Sequence, residues 1–196
     1  MAATRAEAMQ ETRAKLISAA RKAFAEKGYS GTSMDDLTAA VGLTRGALYH
    51  NFGDKRGLMA AVVEQVDGEM ADRALAEANE AGGSEWDRLL TEGIAYIRAA
   101  TTPEVRRIVL LDGPAVLGDP SQWPSQNRCL TLTKEALDRL AEQGAIKPVA
   151  TEAAARLLTG AAMNAALWVA TSDRPSEVLA EVTQAFRELA SGLLER

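Results

Sequence analysis

The chain of 196 residues holds one histidine, His50, and one cysteine, Cys129. So short a supply of bases and soft ligands narrows the chemistry at once. One histidine argues against a Ser–His–Asp triad or a histidine-based metal site, and one cysteine excludes an intramolecular disulfide framework and any cysteine-rich zinc site. No Walker-type glycine loop and no zinc-ligand spacing occurs. The adjacent acids Asp35 and Asp36 fall at a helix start, where carboxylates act as caps. Neither catalysis nor a bound metal or cofactor is expected.

The informative residues are instead those of 32–55, TSMDDLTAAVGLTRGALYHNFGDK. Two short helices joined through Gly42 and Leu43 read as a helix-turn-helix. Leu37, Ala40 and Val41 are placed to pack on a first helix through Leu16 and Phe24, and Leu43 and Leu48 to bury behind the second short helix. Thr44, Arg45, Gly46, Tyr49 and His50 then remain on its outer face. In this motif the second helix enters the major groove with its N-terminal residues toward base edges. Arg45 suits guanine O6 and N7, and Thr44 or Tyr49 can reach base or phosphate. Gly46 and Ala47 are small enough for close backbone approach. The N-termini of the second and fourth helices offer N–H groups and a positive dipole end to phosphate, with Thr32, Ser33 and Lys55 at those ends. The plainer alternative is an ordinary α-bundle in which such a helix pair meets no nucleic acid.

Charge is divided to match. Residues 1–60 hold nine Lys/Arg against six Asp/Glu, a net of +3, and 61–196 hold thirteen against twenty-one, a net of −8, giving −5 overall. A basic head on an acidic body fits a head that meets phosphate and a body that does not.

The elements that must position these residues are helices throughout. Alanine occurs 38 times and leucine 22 times, against 5 isoleucines and 11 valines, a balance that favours helix over strand. About nine helices are expected and no strand. They run over about 8–27 (stopped by Gly28), 34–41, 44–51, 55–81 (capped by Asp54) and from Ser84 through Trp86, Leu90, Ile94 and Ile97. A short helix follows over 104–112, then a loop over 113–124, and then helices over 125–142, 151–170 and from Pro175 onward. The first fifteen residues show no signal-peptide pattern, and the uncharged run 157–172 is short for a bilayer span. A cytoplasmic protein with no membrane partner is expected.

Phe24, Gly28 and Tyr29, then Thr32 and Ser33, then Leu37 and Ala40 to Leu43, then Gly46 and Leu48 to Phe52, then Lys55 and Leu58, resemble in one register the DNA-binding head of the TetR family of bacterial regulators. Leu37-Thr38 departs conservatively from the commoner Ile or Ile-Ala. The resemblance implies an all-α homodimer that binds a palindromic double-stranded operator, represses transcription, and is released by a small molecule held in the C-terminal body. It divides the chain into a DNA-binding head (1–55), a connecting helix (56–83) and a ligand-binding and dimerisation body (84–196). A ligand-dependent activator, or a protein–protein adaptor on the same fold, is the alternative.

The body carries no portable ligand motif. For the dimer interface the expected residues are Leu157, Ala161, Ala165, Val178, Val182, Phe186 and Leu189, although all could be intramolecular core. For the pocket they are Ile97, Arg98, Asp112, Trp123, Cys129, Asn164 and Trp168. Asn164 lies in an apolar helix, where its amide needs a partner. Cys129 reads first as a small buried apolar residue.

Overall fold

A computed structural model describes residues 5–195. Helix α1 (Arg5–Lys27) turns Leu16, Ala20 and Phe24 inward at four-residue spacing, and Leu37 and Leu48 close over them from α2 (Met34–Ala40) and α3 (Arg45–Phe52). Val41 and Leu43 are half-buried beside this core, whereas Ala40, expected to pack on α1, faces solvent. Gly28 follows α1 at φ +72°, the left-handed stop expected there. Ser33 caps α2 by accepting from the Asp35 and Asp36 amides at 3.2 and 3.5 Å. The reciprocal half of the expected capping box is not formed there. It is complete at α5 (Glu85–Ala99), where Ser84 and Asp87 cap one another.

Asp54 caps the long helix α4 (Lys55–Ala81), which runs from the head into the body. There α4 packs along α5, and α5 along α9 (Thr151–Thr171) and α10 (Pro175–Ser191). Helix α8 (Pro124–Glu142) lies on α9. Its first turn has no side-chain cap of its own, and Glu64 of α4 supplies one by accepting from Ser125 N at 3.1 Å. Helix α9 buries a stripe of Ala154, Ala155, Ala162, Ala166, Val169 and Ala170. By length and composition alone it could cross a membrane, but that buried stripe packs inside the bundle. Among the described residues the one extended pairing is an isolated bridge between Ile146 and Leu194.

Residues 103–117 differ from expectation. The short helix over 104–112 is in fact α6 (Pro103–Val105), a π-helical stretch Arg106–Asp112, and α7 (Gly113–Leu117) in unbroken succession. Half of the expected loop is therefore helical, and a single turn of 3-10 helix, Pro120–Gln122, takes up much of the rest. Pro114 is tolerated because it stands in the first turn after the wide register, where its missing N–H costs little. Gly113 is required, since a Cβ there would lie 2.8 Å from the Trp123 ring. With 103–117 counted as one helix, the described residues form nine.

This segment is where head and body join. Arg21 of α1 donates to both Glu104 carboxylate oxygens at 2.7 Å and to Glu69 of α4 at 2.8 Å. Tyr29 N donates to Asp112 Oδ2 at 2.7 Å, and the Arg56 guanidinium donates to the Val116 and Leu117 carbonyls at 3.1 and 3.2 Å.

Hydrogen bonds from Arg21 hold Glu104 and Glu69 below the ordinary carboxylate value of 4.5. Depressed carboxylates stabilise the fold above their unfolded-state pKa, and that contribution is lost as pH falls through the lower folded values. Arg21→Met is therefore expected to reduce the urea midpoint at neutral pH and to converge on the parent protein well below pH 4.5. A constant gap between the two proteins across that range would show that Arg21 acts by packing alone.

Candidate nucleic-acid interface and body cavity

Helix α3 buries Leu48 completely and turns the opposite face to solvent. Thr44 caps it, accepting from Ala47 N at 3.2 Å, which leaves its own O–H proton available to a phosphate. Gly46, Tyr49 and His50 are exposed beside it, Tyr49 to 49%. A Cβ at Gly46 would meet nothing nearer than Thr44 Oγ1 at 3.7 Å, so the surface here is bare backbone. Arg45 also faces outward and pairs with Asp35 of α2 at 2.5 Å, both side chains more than half exposed. Exposed pairs contribute little to stability, so this one can be exchanged for a base edge at small cost.

The flanking residues divide. Ser33 is exposed at the start of α2. Thr32 is buried, and its hydroxyl donates to the Gly28 carbonyl at 2.8 Å. It therefore ties the α1–α2 turn, and a phosphate role for its side chain is withdrawn. The start of α4 is also less open than expected, because the Asp54 carboxylate accepts from Gly57 N at 2.7 Å and places a negative charge there. Lys55 is half-buried with its ammonium 4.4 Å from the centre of the Tyr29 ring, a cation–π contact that steadies a charge on the head's surface. Across the head, Arg13 lies 4.5 Å from the Phe52 ring centre and donates to Asn51 O.

The residues expected to form a pocket do not converge. Ile97 is fully buried, and Trp123 is buried with its ring against Gly113. Arg98 pairs with Glu77 on the surface. Asp112 belongs to the head–body joint. Asn164 is exposed, and Trp168 is 52% exposed. The helix carrying both is apolar nearly all round, so its sequence could not show which face is inward. Of the seven, Cys129 lines the apolar cavity enclosed by the body helices, while Arg98 and Asn164 border two separate clefts.

That cavity lies among α4, α5, α8, α9 and α10 and measures about 60 Å³. Trp86, Leu89, Leu90, Leu158 and Phe186 give it apolar walls, and Glu92, Tyr96, Gln126, Cys129, Thr133 and Thr159 supply its polar atoms. Behind it sits Asp67 of α4, fully buried, accepting from Tyr96 Oη at 3.2 Å and from Gln126 Nε2 at 2.8 Å. Burial and the Asp67 charge push the Tyr96 phenol well above its ordinary value, and burial raises Glu92. Sequence reasoning missed Asp67, Glu92, Tyr96 and Gln126. One signal was present: Asp67 interrupts the buried stripe of Val63, Val66, Met70 and Ala74, where a carboxylate demands partners.

Of the expected interface residues, Val178, Val182 and Phe186 are buried within this chain. They belong to its own core and offer no free surface. Leu157 and Leu189 are 74% and 72% exposed, and Ala161 and Ala165 are half-buried beside the first. Among the described residues no group of three or more His, Cys, Asp or Glu side chains is gathered as metal ligands would be.

Comparison with known proteins gives two family matches. Residues 16–62 match "Bacterial regulatory proteins, tetR family", and 86–193 match "Tetracyclin repressor-like, C-terminal domain". The chain is 30% identical over 103 residues to the HTH-type transcriptional regulator AcrR of Shigella flexneri, an overlap of 53% of this chain and 47% of AcrR. It is 39% identical over 61 residues to the HTH-type transcriptional repressor AcnR of Corynebacterium glutamicum, covering 31% of this chain and 32% of AcnR. It thus spans less than half the length of these relatives. A crystal structure of a TetR-family transcriptional regulator from Pectobacterium atrosepticum matches throughout, with TM-score 0.88 and 45% identity over 99% of each chain.

Burial, with the charge of Asp67 second, pushes the Cys129 thiol up to about 12. The thiolate is the reactive form, so the native protein should react with iodoacetamide at pH 8 far more slowly than the same protein in guanidinium. Equal rates in the two states would place Cys129 outside the cavity wall.

Proposed function

The chain belongs to the TetR family of DNA-binding transcriptional regulators, and on that premise we propose that it works as a homodimeric repressor, leaving a palindromic operator when a small molecule enters the cavity of its body. The carrying observation is the outer face of α3, where Thr44, Arg45, Gly46, Tyr49 and His50 face solvent, Arg45 held only by its exposed pair with Asp35, while Leu48 anchors the helix from behind. Ser33 and Lys55 flank it as phosphate contacts. The head is taken as 1–55, the connecting helix as 56–83 and the body as 84–196, at work in the cytoplasm.

Dimerisation is supported by the outer faces of α9 and α10. Leu157, Trp168 and Leu189 are large, apolar and more than half exposed, and Ala161 and Ala165 between them permit close helix approach. An apolar patch of this kind on one chain suits a two-fold, self-complementary interface. Release is supported by connectivity. The cavity is bounded by α4 and α5, α4 continues into the head, and α5 leads into 103–117, which Arg21, Tyr29 and Arg56 bind to the head. A ligand that fits the DNA-free arrangement better than the DNA-bound one shifts the equilibrium between them.

Selection of bound duplexes from a random DNA library by the purified protein is expected to enrich one palindrome, with half-sites about one helical turn apart or a multiple of it. Arg45→Ala and Tyr49→Ala should each weaken base discrimination by about 1–3 kcal/mol while the protein stays dimeric. Leu157→Glu with Leu189→Glu should give a folded monomer by analytical ultracentrifugation. Undiminished sequence preference in both α3 variants would overturn the assignment of the DNA-reading helix, and a dimeric double variant would overturn the interface.

A further inference from the structure

The cavity has a definite electrostatic character. Among the described residues no Lys, Arg or His lines it. Gln126 Nε2 donates to Asp67 Oδ2 and to Tyr96 Oη, both at 2.8 Å, and Tyr96 Oη donates to Asp67 Oδ1. Both amide hydrogens of Gln126 and the phenolic hydrogen are thereby engaged by the buried carboxylate and its network. Thr159 Oγ1 donates to the Ala155 carbonyl at 2.9 Å. What remains toward the cavity is the Glu92 carboxylate, with the Thr133 hydroxyl and the Cys129 thiol, each able to turn a hydrogen or a lone pair toward a ligand. The cations on the surrounding helices are turned elsewhere: Arg88 to the Gly83 carbonyl, Arg128 to Asp72, Arg139 to Glu85 and Lys134 to Asp138. Glu92 on the cavity wall and Asp67 behind it therefore have no ion-pair partner among the described residues, and Arg88 and Arg139, which border the neighbouring cleft that Glu92 also lines, are engaged by other groups. Buried charge is ordinarily paired.

We propose that the cavity takes a small amphiphilic cation, with an apolar body against Trp86, Leu90 and Phe186 and an ammonium-type head whose N–H groups meet Glu92. This rests on the cavity being the effector site and names the class of effector. The ligand supplies what the chamber's described lining lacks, a positive charge. Glu92 is the group most exposed to that choice, because burial already disfavours its charged form and a bound cation restores it. Size sets a second limit. At roughly 10–15 Å³ per water, a cavity of about 60 Å³ suits a short alkyl chain or a single ring unless its walls move.

The test is calorimetric titration of the full-length protein with n-alkylammonium ions from butyl to decyl, beside the alkanols and alkanoates of the same lengths. The ammonium ion of the best-fitting length is expected to bind about tenfold or more tightly than its alkanol, with the alkanoate weakest. Glu92→Gln should remove most of that preference while leaving alkanol binding in place. Ala162→Leu, which fills the cavity, should abolish binding of the whole series. Equal affinity for ammonium and alkanol, tighter binding of the alkanoate, no saturable binding of any ammonium ion, or a preference unchanged in Glu92→Gln would each overturn the proposal. Should Glu92→Gln fail to fold, the order of the three series on the parent protein still decides. Operator release in a gel shift separates the two levels. An ammonium ion that binds with the expected preference yet leaves the DNA complex intact keeps the ligand class and removes the effector role. Release by alkanol or alkanoate alone keeps the effector role and removes the class.

Discussion

One helix of 27 residues, about 40 Å long at 1.5 Å per residue, packs its first turns under α1 and α3 and its remaining turns along α5. Most of the structure depends on α4 serving both places. Leu58, Met59, Val62 and Val63 lead on to Val66, Met70 and Ala74, and all belong to one apolar cluster that runs from Leu16 in the head to Phe186 in the body. The polar interruption of that stripe, Asp67, is the residue around which the cavity wall is organised. A displacement of α4 at the cavity is thus a displacement of the helix on which the head rests. Close-packed interiors do not absorb such a shift by local compression.

The contacts that fix the head's orientation are of a different kind from those that make its core. Arg21 and Tyr29 of the head, with Arg56 in the first turn of α4, reach the body through hydrogen bonds to carboxylates and carbonyls, whereas Leu16, Phe24, Leu37 and Leu48 hold the head together by burial. Directional contacts at part-exposed positions are exchangeable with water, and a dry apolar core is not. Arg107 adds to this seam, lying over Gly28 and donating to Asp112.

The head was legible in the sequence because its signals are local. Gly28 ends α1, Thr44 and Asp54 cap the next helices, and the spacing of Leu16, Ala20 and Phe24 phases α1 unaided. The outer face of α3 follows from the burial of Leu48 alone. Thr32 was misjudged because a threonine before a helix can cap it or turn back to the preceding carbonyl, and only the packed turn decides between these. In the body, α9 is apolar on nearly every face, so Asn164 and Trp168 could be placed inside or outside with equal reason. Its tight alanine stripe decides the matter, since small side chains let α5, α8 and α10 approach on that side. The cavity was the least legible feature. It exists where five helices fail to close completely, and its polar wall joins Asp67, Tyr96 and Gln126 across separations of 29 to 59 residues.

The π-helical stretch Arg106–Asp112 sets a rule of arithmetic on this joint. A π turn is an α turn carrying one residue too many, and a residue cannot be surrendered by halves. If the stretch tightens to α-helix, everything beyond it advances by a whole residue, about 100° around the axis. Asp112, at its end, would swing with it, away from Tyr29. Any change of register between cavity and head is therefore counted in whole residues.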